Sequence, residues 1–288
     1  MILKSAIDSL ASVLFPAPCR ICGQALTSAS RIPVCAACLD AFERIVDPLC
    51  ACCGRPMASS APGEASEARS VDVPLFDARL LGALCRLCRT DFYSFDRARS
   101  FAIYDRALSE TVLLLKYEQV TSLADWFGAR LAEMAVRAGA EWRADAVAPV
   151  PLHRDRHRER GYNQAELIAR AVAKRLQLPL DANLLSRIKP RPPQLVLSRT
   201  EHWKSVRGAY ATAAGMKIDK LRVLLIDDVL TTGATLDACS RALKKAGAAA
   251  VFGVTVGRVR FGQAATMPAS VVQSNSATKL ARRGIYTL

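Results

Sequence analysis

The sequence predicts an α/β protein: a parallel sheet flanked by helices, preceded by a small cysteine-rich module. Three observations carry that expectation. Between Ala146 and Val256, short apolar runs of strand length alternate with longer segments of helix length, the pattern of strands joined by helical crossovers. Nine of the ten cysteines stand before residue 89. The apolar run Val223–Ile226 ends in two adjacent acids and a Thr/Gly turn.

The 288 residues permit one large domain or two ordinary ones, and 51% apolar content suffices for a full core. Ile2, Leu3, Ile7, Leu10 and Leu14 recur at helical spacing and predict a short amphipathic helix. The same stretch resembles a signal peptide, but Asp8 interrupts its apolar run and no small-x-small cleavage site follows. No stretch approaches the eighteen apolar residues of a membrane span. The cytoplasm is therefore the expected compartment, and there cysteines stay reduced.

From Ala58 to Val73 the chain runs in Ala, Ser, Pro, Gly and Glu, which predicts a flexible insertion. Phe92, Phe95, Phe101, Ile103 and Tyr104 mark strand character; Ala107–Lys116 and Leu123–Ala138 follow as helices. Ala146–Pro149 is a buried strand, Asn163–Leu178 a helix, Val223–Ile226 a second strand, Ala234–Ala246 a helix and Ala249–Val256 a third strand. From Gly262 the chain becomes small and polar and reads as a loose tail. The expected division is 1–90 for the N-terminal helix and cysteine module, 91–261 for the α/β domain and 262–288 for the tail.

The cysteines form four C-x-x-C pairs: Cys19/Cys22, Cys35/Cys38, Cys50/Cys53 and Cys85/Cys88. Such a turn points two thiolates at one ion, and two turns complete a tetrahedral Cys₄ shell. Eight cysteines suit two structural zinc ions, leaving Cys52 and Cys239 over. The sequential grouping, Cys19, Cys22, Cys35 and Cys38, then Cys50, Cys53, Cys85 and Cys88, is the simplest; an interleaved grouping and iron–sulfur ligation stay open.

The segment Val223–Thr235 is the sharpest signal. In open α/β sheets ligands bind beyond the carboxyl ends of strands, and this strand end runs directly into a helix. Successive amides and a helix N-terminus cradle anions. Thr231, Thr232 and Thr235 add hydroxyls, Gly233 admits a phosphate closely, and Asp227 and Asp228 offer acceptors for ribose hydroxyls and their Mg²⁺. The glycine and lysine pattern of a P-loop and the glycines of a dinucleotide fingerprint are both absent. A helix cap would need one aspartate; two, with three threonines and a glycine, exceed it.

This segment resembles the 5-phosphoribosyl 1-pyrophosphate (PRPP) motif of type I phosphoribosyltransferases. The resemblance implies that Asp227 and Asp228 hold the ribose and that Thr231, Thr232, Gly233, Ala234 and Thr235 grip the 5′-phosphate. Upstream, Ala148–His153 runs into Arg154, Arg156, Arg158 and Arg160, where type I enzymes hold pyrophosphate. Ile188–Tyr210, long, irregular and basic, stands where they carry a mobile lid. By the same resemblance, Arg154, Arg158 and Arg160, with Lys189 and Arg199, stabilise departing pyrophosphate, and Mg²⁺ accompanies PRPP.

The whole arrangement resembles the ComF/GntX family of competence-associated phosphoribosyltransferase-like proteins. The matching pieces are the cysteine-rich N-terminus, Val150-Pro-Leu-His153, Arg160-Gly-Tyr-Asn-Gln164, Gln194–Arg199, Gly208-Ala-Tyr210 and the acidic loop. Ser205 departs from the Asn expected beside Val206 and Arg207. The resemblance implies a type I phosphoribosyltransferase-like fold behind a double zinc ribbon, and a link to DNA uptake. No base-recognition element stands out, so the acceptor is unassigned. A rival expectation is a binding protein for single-stranded DNA, favoured by the net charge of +14. Aromatics, the usual stacking platforms, are only 6% of the chain, although Tyr162, Trp203 and Tyr210 lie in its basic stretches. A third expectation is a scaffold that binds neither.

Overall fold

A computed structural model describes residues 17–26, 31–57, 84–90, 92–190, 199–213 and 218–260. The expected N-terminal helix, the 58–73 insertion, residues 191–198 of the lid and the 262–288 tail lie outside these.

In chain order the elements are α1 Ala36–Asp40, β1 Arg97–Ile103, α2 Arg106–Tyr117, α3 Ser122–Arg137, β2 Ala146–Pro149, α4 Arg154–Arg160, α5 Gln164–Leu176, β3 Leu185–Arg187, α6 Arg199–Val206, β4 Tyr210–Thr212, β5 Arg222–Leu230, α7 Ala234–Lys245 and β6 Ala250–Arg258. Strands β1, β6, β5 and β2 form a parallel sheet in that spatial order, and β3 and β4 pair antiparallel beside it. The α/β fold with helices on both faces is the one the alternation predicts.

Strand β5 shows why two layers form. Leu224 and Ile226 enter the core shared with α2, α3 and α5, while Val223 and Leu225 enter the core shared with α7. Alternate side chains of a strand point to opposite faces, so a strand apolar at every position needs cover on both. The cysteine modules supply part of that cover. Cys19, Val34, Leu39 and Phe42 belong to the first core, and Cys50, Cys53, Cys85 and Cys88 to the second. The second module is also tied to the sheet. Ala98 N–H donates to the Cys52 carbonyl at 2.7 Å, and a Cβ on Gly54, whose φ is +65°, would stand 2.4 Å from the Ala98 oxygen.

Three stretches differ from expectation. The strand expected over Val223–Ile226 continues to Leu230, because β6 keeps pairing with it through Val229↔Gly257 and Leu230↔Arg258. Asp227 and Asp228 therefore lie inside β5. The basic tract, which the resemblance likens to the pyrophosphate-binding loop of type I enzymes, is the helix α4, capped by the His153 side chain accepting from Asp155 N–H and closed by Gly161 at φ +80°. The expected irregular lid contains α6 and is anchored at both ends by the β3–β4 pair.

Helices α3 and α5 approach closely at Gly128, where an added Cβ would lie 2.4 Å from the Ala171 Cβ. Alanine gains about 1 kcal/mol of helix propensity over glycine, but overpacking costs about 1–3 kcal/mol. Gly128→Ala is thus expected to lower the urea midpoint without changing the slope of the transition, as read by circular dichroism.

Candidate functional site

The structure groups the eight paired cysteines sequentially. Within each set, Cys19, Cys22, Cys35 and Cys38, and Cys50, Cys53, Cys85 and Cys88, all sulfur atoms lie within 4.8 Å of one another. A zinc ion with Zn–S near ~2.3 Å sets tetrahedral sulfurs roughly 3.8 Å apart. Cys19 to Cys38 is 3.9 Å, Cys22 to Cys35 3.7 Å and Cys53 to Cys85 3.8 Å. Backbone amides complete each knuckle: Cys35 N–H donates to the Cys19 sulfur and Cys85 N–H to the Cys50 sulfur, both at 3.3 Å. Both sets therefore fit a zinc ion. Their surroundings differ. The second set is wholly buried, and Arg258 donates to both the carbonyl and the sulfur of Cys53, whereas Cys22 of the first set is exposed.

Strand β5 carries the two acids to its carboxyl end, at the middle of the sheet. Asp227 is half-buried and Asp228 buried. They cannot share one environment, since consecutive strand residues point to opposite faces. Asp228 meets Lys116 from the last turn of α2 at 3.0 Å. Gln164, the first residue of α5, also donates to Asp228 Oδ2, and its own carbonyl accepts from Arg160 at 2.7 Å. Arg160 donates in turn to the Tyr117 hydroxyl at 3.0 Å and lies over its ring. A chain of polar contacts thus runs from Tyr117 through Arg160 and Gln164 to Asp228 and Lys116.

That chain separates the ionisation of the two acids. Burial acts to raise Asp228, but the Lys116 ammonium and the hydrogen bonds from Lys116 and Gln164 outweigh it and hold the carboxyl below its ordinary range. Among the described residues Asp227 has no such cation in contact; burial first, and then the Asp228 charge, push it well above that range. Its Oδ1 accepts the Asp228 N–H at 2.8 Å. Two neighbouring carboxyls with opposed shifts are a recognised mark of a binding or catalytic site.

Beyond β5, residues 231–235 turn into α7 through Gly233, which has φ +82°. Thr231 is exposed, Thr232 and Thr235 are half-buried, and Gly233 and Ala234 are buried. The Thr232 side chain accepts the Ala234 N–H at 3.3 Å. Tyr93 closes the back of this turn, donating to the Thr232 carbonyl at 3.0 Å.

The expected cations are placed unequally. Arg160 joins the acid network; Arg154 and Arg158 are exposed along α4. Lys189 is exposed beyond β3 and donates to the Arg207 carbonyl at 3.2 Å. Arg199 opens α6, and its side chain lies outside the described residues. Sequence reasoning missed Lys116, Tyr117 and Tyr93. Lys116 carried a signal: it follows the apolar helical run Val112–Leu115, where a charge has no packing role.

A family profile described as double zinc ribbon domain matches residues 10–69, and one described as phosphoribosyl transferase domain matches residues 163–274. The ribbon match stops before Cys85 and Cys88, which the structure adds to the second set. Competence protein F of Haemophilus influenzae is 32% identical over 168 residues, covering 57% of this chain and 73% of that protein. DNA utilization protein YhgH of Salmonella typhimurium is 26% identical over 239 residues, covering 82% and 94%. Among solved structures, a glutamine PRPP amidotransferase from B. subtilis complexed with ADP and GMP is 20% identical, covering 47% of this chain and 26% of that one. Its TM-score is 0.33.

The two acids should answer oppositely to amide substitution in ligand-free protein. Asp228→Asn leaves the buried Lys116 without its counter-charge and is expected to cost about 3–5 kcal/mol. Asp227→Asn removes a carboxyl that burial disfavours when ionised. A raised folded value means that the wild-type carboxyl contributes stability at acid pH, below the unfolded value, and loses it as pH rises through the folded one. Asp227→Asn should therefore gain on wild type as pH rises. Thermal melts of both variants from pH 5 to pH 9 check this.

Proposed function

Given that this chain belongs to the ComF/GntX family, with a double zinc ribbon ahead of a phosphoribosyltransferase-like domain, we propose that it binds PRPP with Mg²⁺ and transfers its phosphoribosyl group to a nitrogen acceptor. The observation that carries this is the acid pair on β5 followed by the Thr/Gly turn into α7, with Arg160 linked through Gln164 to Asp228. Asp227 and Asp228 hold the ribose hydroxyls and are the residues suited to Mg²⁺. The amides and hydroxyls of residues 231–235 take the 5′-phosphate.

In the reaction the bond from C1 to the pyrophosphate oxygen breaks, a bond from C1 to the acceptor nitrogen forms, and the acceptor loses a proton. The protein positions the partners and stabilises leaving charge. Arg154, Arg158 and Arg160 meet the pyrophosphate as it departs, joined from the lid by Lys189 and Arg199. Arg160 is suited to this part: its Nε is buried with no protein partner among the described residues. Each cysteine set holds one zinc ion as structural support, and binding of that ion is folding energy for its module. We assign residues 1–90 to this module, 91–261 to the transferase-like domain and 262–288 to a tail, and place the protein in the cytoplasm. No helix among the described residues is long and apolar enough to cross a membrane.

The relatives' names connect the family to competence and DNA utilization, and the exposed Arg154 and Arg158 favour single-stranded DNA as a second ligand. Stacking support for it is thin. Tyr210 is buried, the Tyr162 hydroxyl donates to the Leu115 carbonyl, and Trp203 packs against Phe92.

Calorimetric titration of Mg²⁺·PRPP into zinc-loaded protein should give micromolar binding, lost in Asp227→Asn although that variant melts no lower than wild type. Unchanged affinity in that variant sinks the site assignment. Because binding needs Asp227 ionised and its free value is raised, affinity should climb with pH through neutrality. Protons should be released, seen as binding heats that vary with buffer ionisation enthalpy. Metal analysis should return two zinc ions per chain. If DNA is a ligand, binding to an oligothymidine should weaken with salt and be lost in Arg156→Glu/Arg158→Glu.

A further inference from the structure

Tyr93 joins three parts of the molecule that the sequence keeps far apart. Its hydroxyl donates to the Thr232 carbonyl, and its ring lies against Gly233 so closely that an added Cβ would stand 2.6 Å from it. Behind the ring, Tyr93 stacks on Phe95 at 4.5 Å and meets Phe92 edge-on at 5.0 Å; Phe92 in turn touches Trp203 of α6 at 4.9 Å. The same tyrosine packs against the core that holds Cys50, Cys53, Cys85 and Cys88.

The segment around it is fixed along α7. Ser94 N–H donates to Asp237 Oδ1 at 2.7 Å, Lys244 pairs with Asp96 at 2.9 Å, and Asp96 accepts the Val251 N–H at 2.7 Å. Residues 92–96 thus descend the flank of α7 between the second cysteine set and the 231–235 turn. The first cysteine set belongs to the core on the opposite face of the sheet and shares none of these contacts.

We propose that Tyr93 is the strut through which the second cysteine set shapes the 231–235 turn, so that metal at that set, and not at the first, governs affinity for a phosphorylated ribose. The affinity part rests on the assignment of the turn as a phosphate loop; the mechanical part does not. Gly233 takes its left-handed conformation against a fixed ring, and the Thr232 carbonyl is held by the Tyr93 hydroxyl. When the second module loosens, the ring loses its backing and the turn its template. Tyr93 is a positioning residue: it stands behind the loop, on the side away from the ligand.

The test uses the full-length, zinc-loaded protein and ribose 5-phosphate as probe. Tyr93→Phe keeps the ring and loses one hydrogen bond, so two zinc ions and the wild-type melting temperature should be retained. Ribose 5-phosphate should bind about five-fold more weakly, and amide hydrogen exchange across residues 231–235 should accelerate. Releasing the first-set metal with Cys22→Ser should leave exchange in that turn unchanged, whereas Cys88→Ser should raise it. Wild-type affinity and wild-type exchange in Tyr93→Phe would overturn the proposal, as would equal effects from the two cysteine variants. Should wild-type protein fail to bind ribose 5-phosphate, the phosphate assignment falls and with it the affinity claim. The exchange data still decide whether Tyr93 is a strut.

Discussion

The contact between Lys116 and Asp228 is the constraint around which the site is arranged. A strand in the middle of a parallel sheet is covered on both faces, and a carboxylate carried there loses most of its hydration. Such a charge persists only with a partner and hydrogen bonds. Helix α2 must therefore end where Lys116 reaches the strand, and α5 must begin where Gln164 does. The placement of both helices follows from one buried charge. Among the described residues the neighbouring acid has no cation in contact, and the two carboxyls therefore differ in their ionisation.

The cysteine modules solve a different difficulty. Each face of the sheet would otherwise expose apolar strand residues at its edge, and each module contributes buried residues to one face. With an ion bound, each knuckle would be a compact means of doing so, the ion replacing the core that so short a segment cannot build. The two modules need not be equivalent in strength. One is enclosed and has a guanidinium beside its sulfur; the other presents a cysteine to solvent.

Much of this was legible in the residues. The apolar run Val223–Ile226 and the alternation around it fix a buried parallel strand, and the C-x-x-C spacing fixes the ligand pairs, because both depend on local geometry. What escaped depends on neighbours distant in sequence. The length of β5 is set by pairing with β6. Lys116 and Tyr93 escaped for the same reason: nothing near them in the sequence says that they face Asp228 and Gly233, 112 and 140 residues away by number. The choice between sequential and interleaved cysteine grouping likewise needed three dimensions.

Arg258, the last residue of β6, reaches the carbonyl of Cys53 across 205 positions of chain. A contact of that span is formed late, since the loop it closes must first be condensed by everything between. During synthesis the second cysteine module emerges long before the strand that completes its surroundings. It must wait, metal-bound or not, with its apolar side uncovered. Strand β6 is translated after every other described element, so its contact with Cys53 completes the module's surroundings only then.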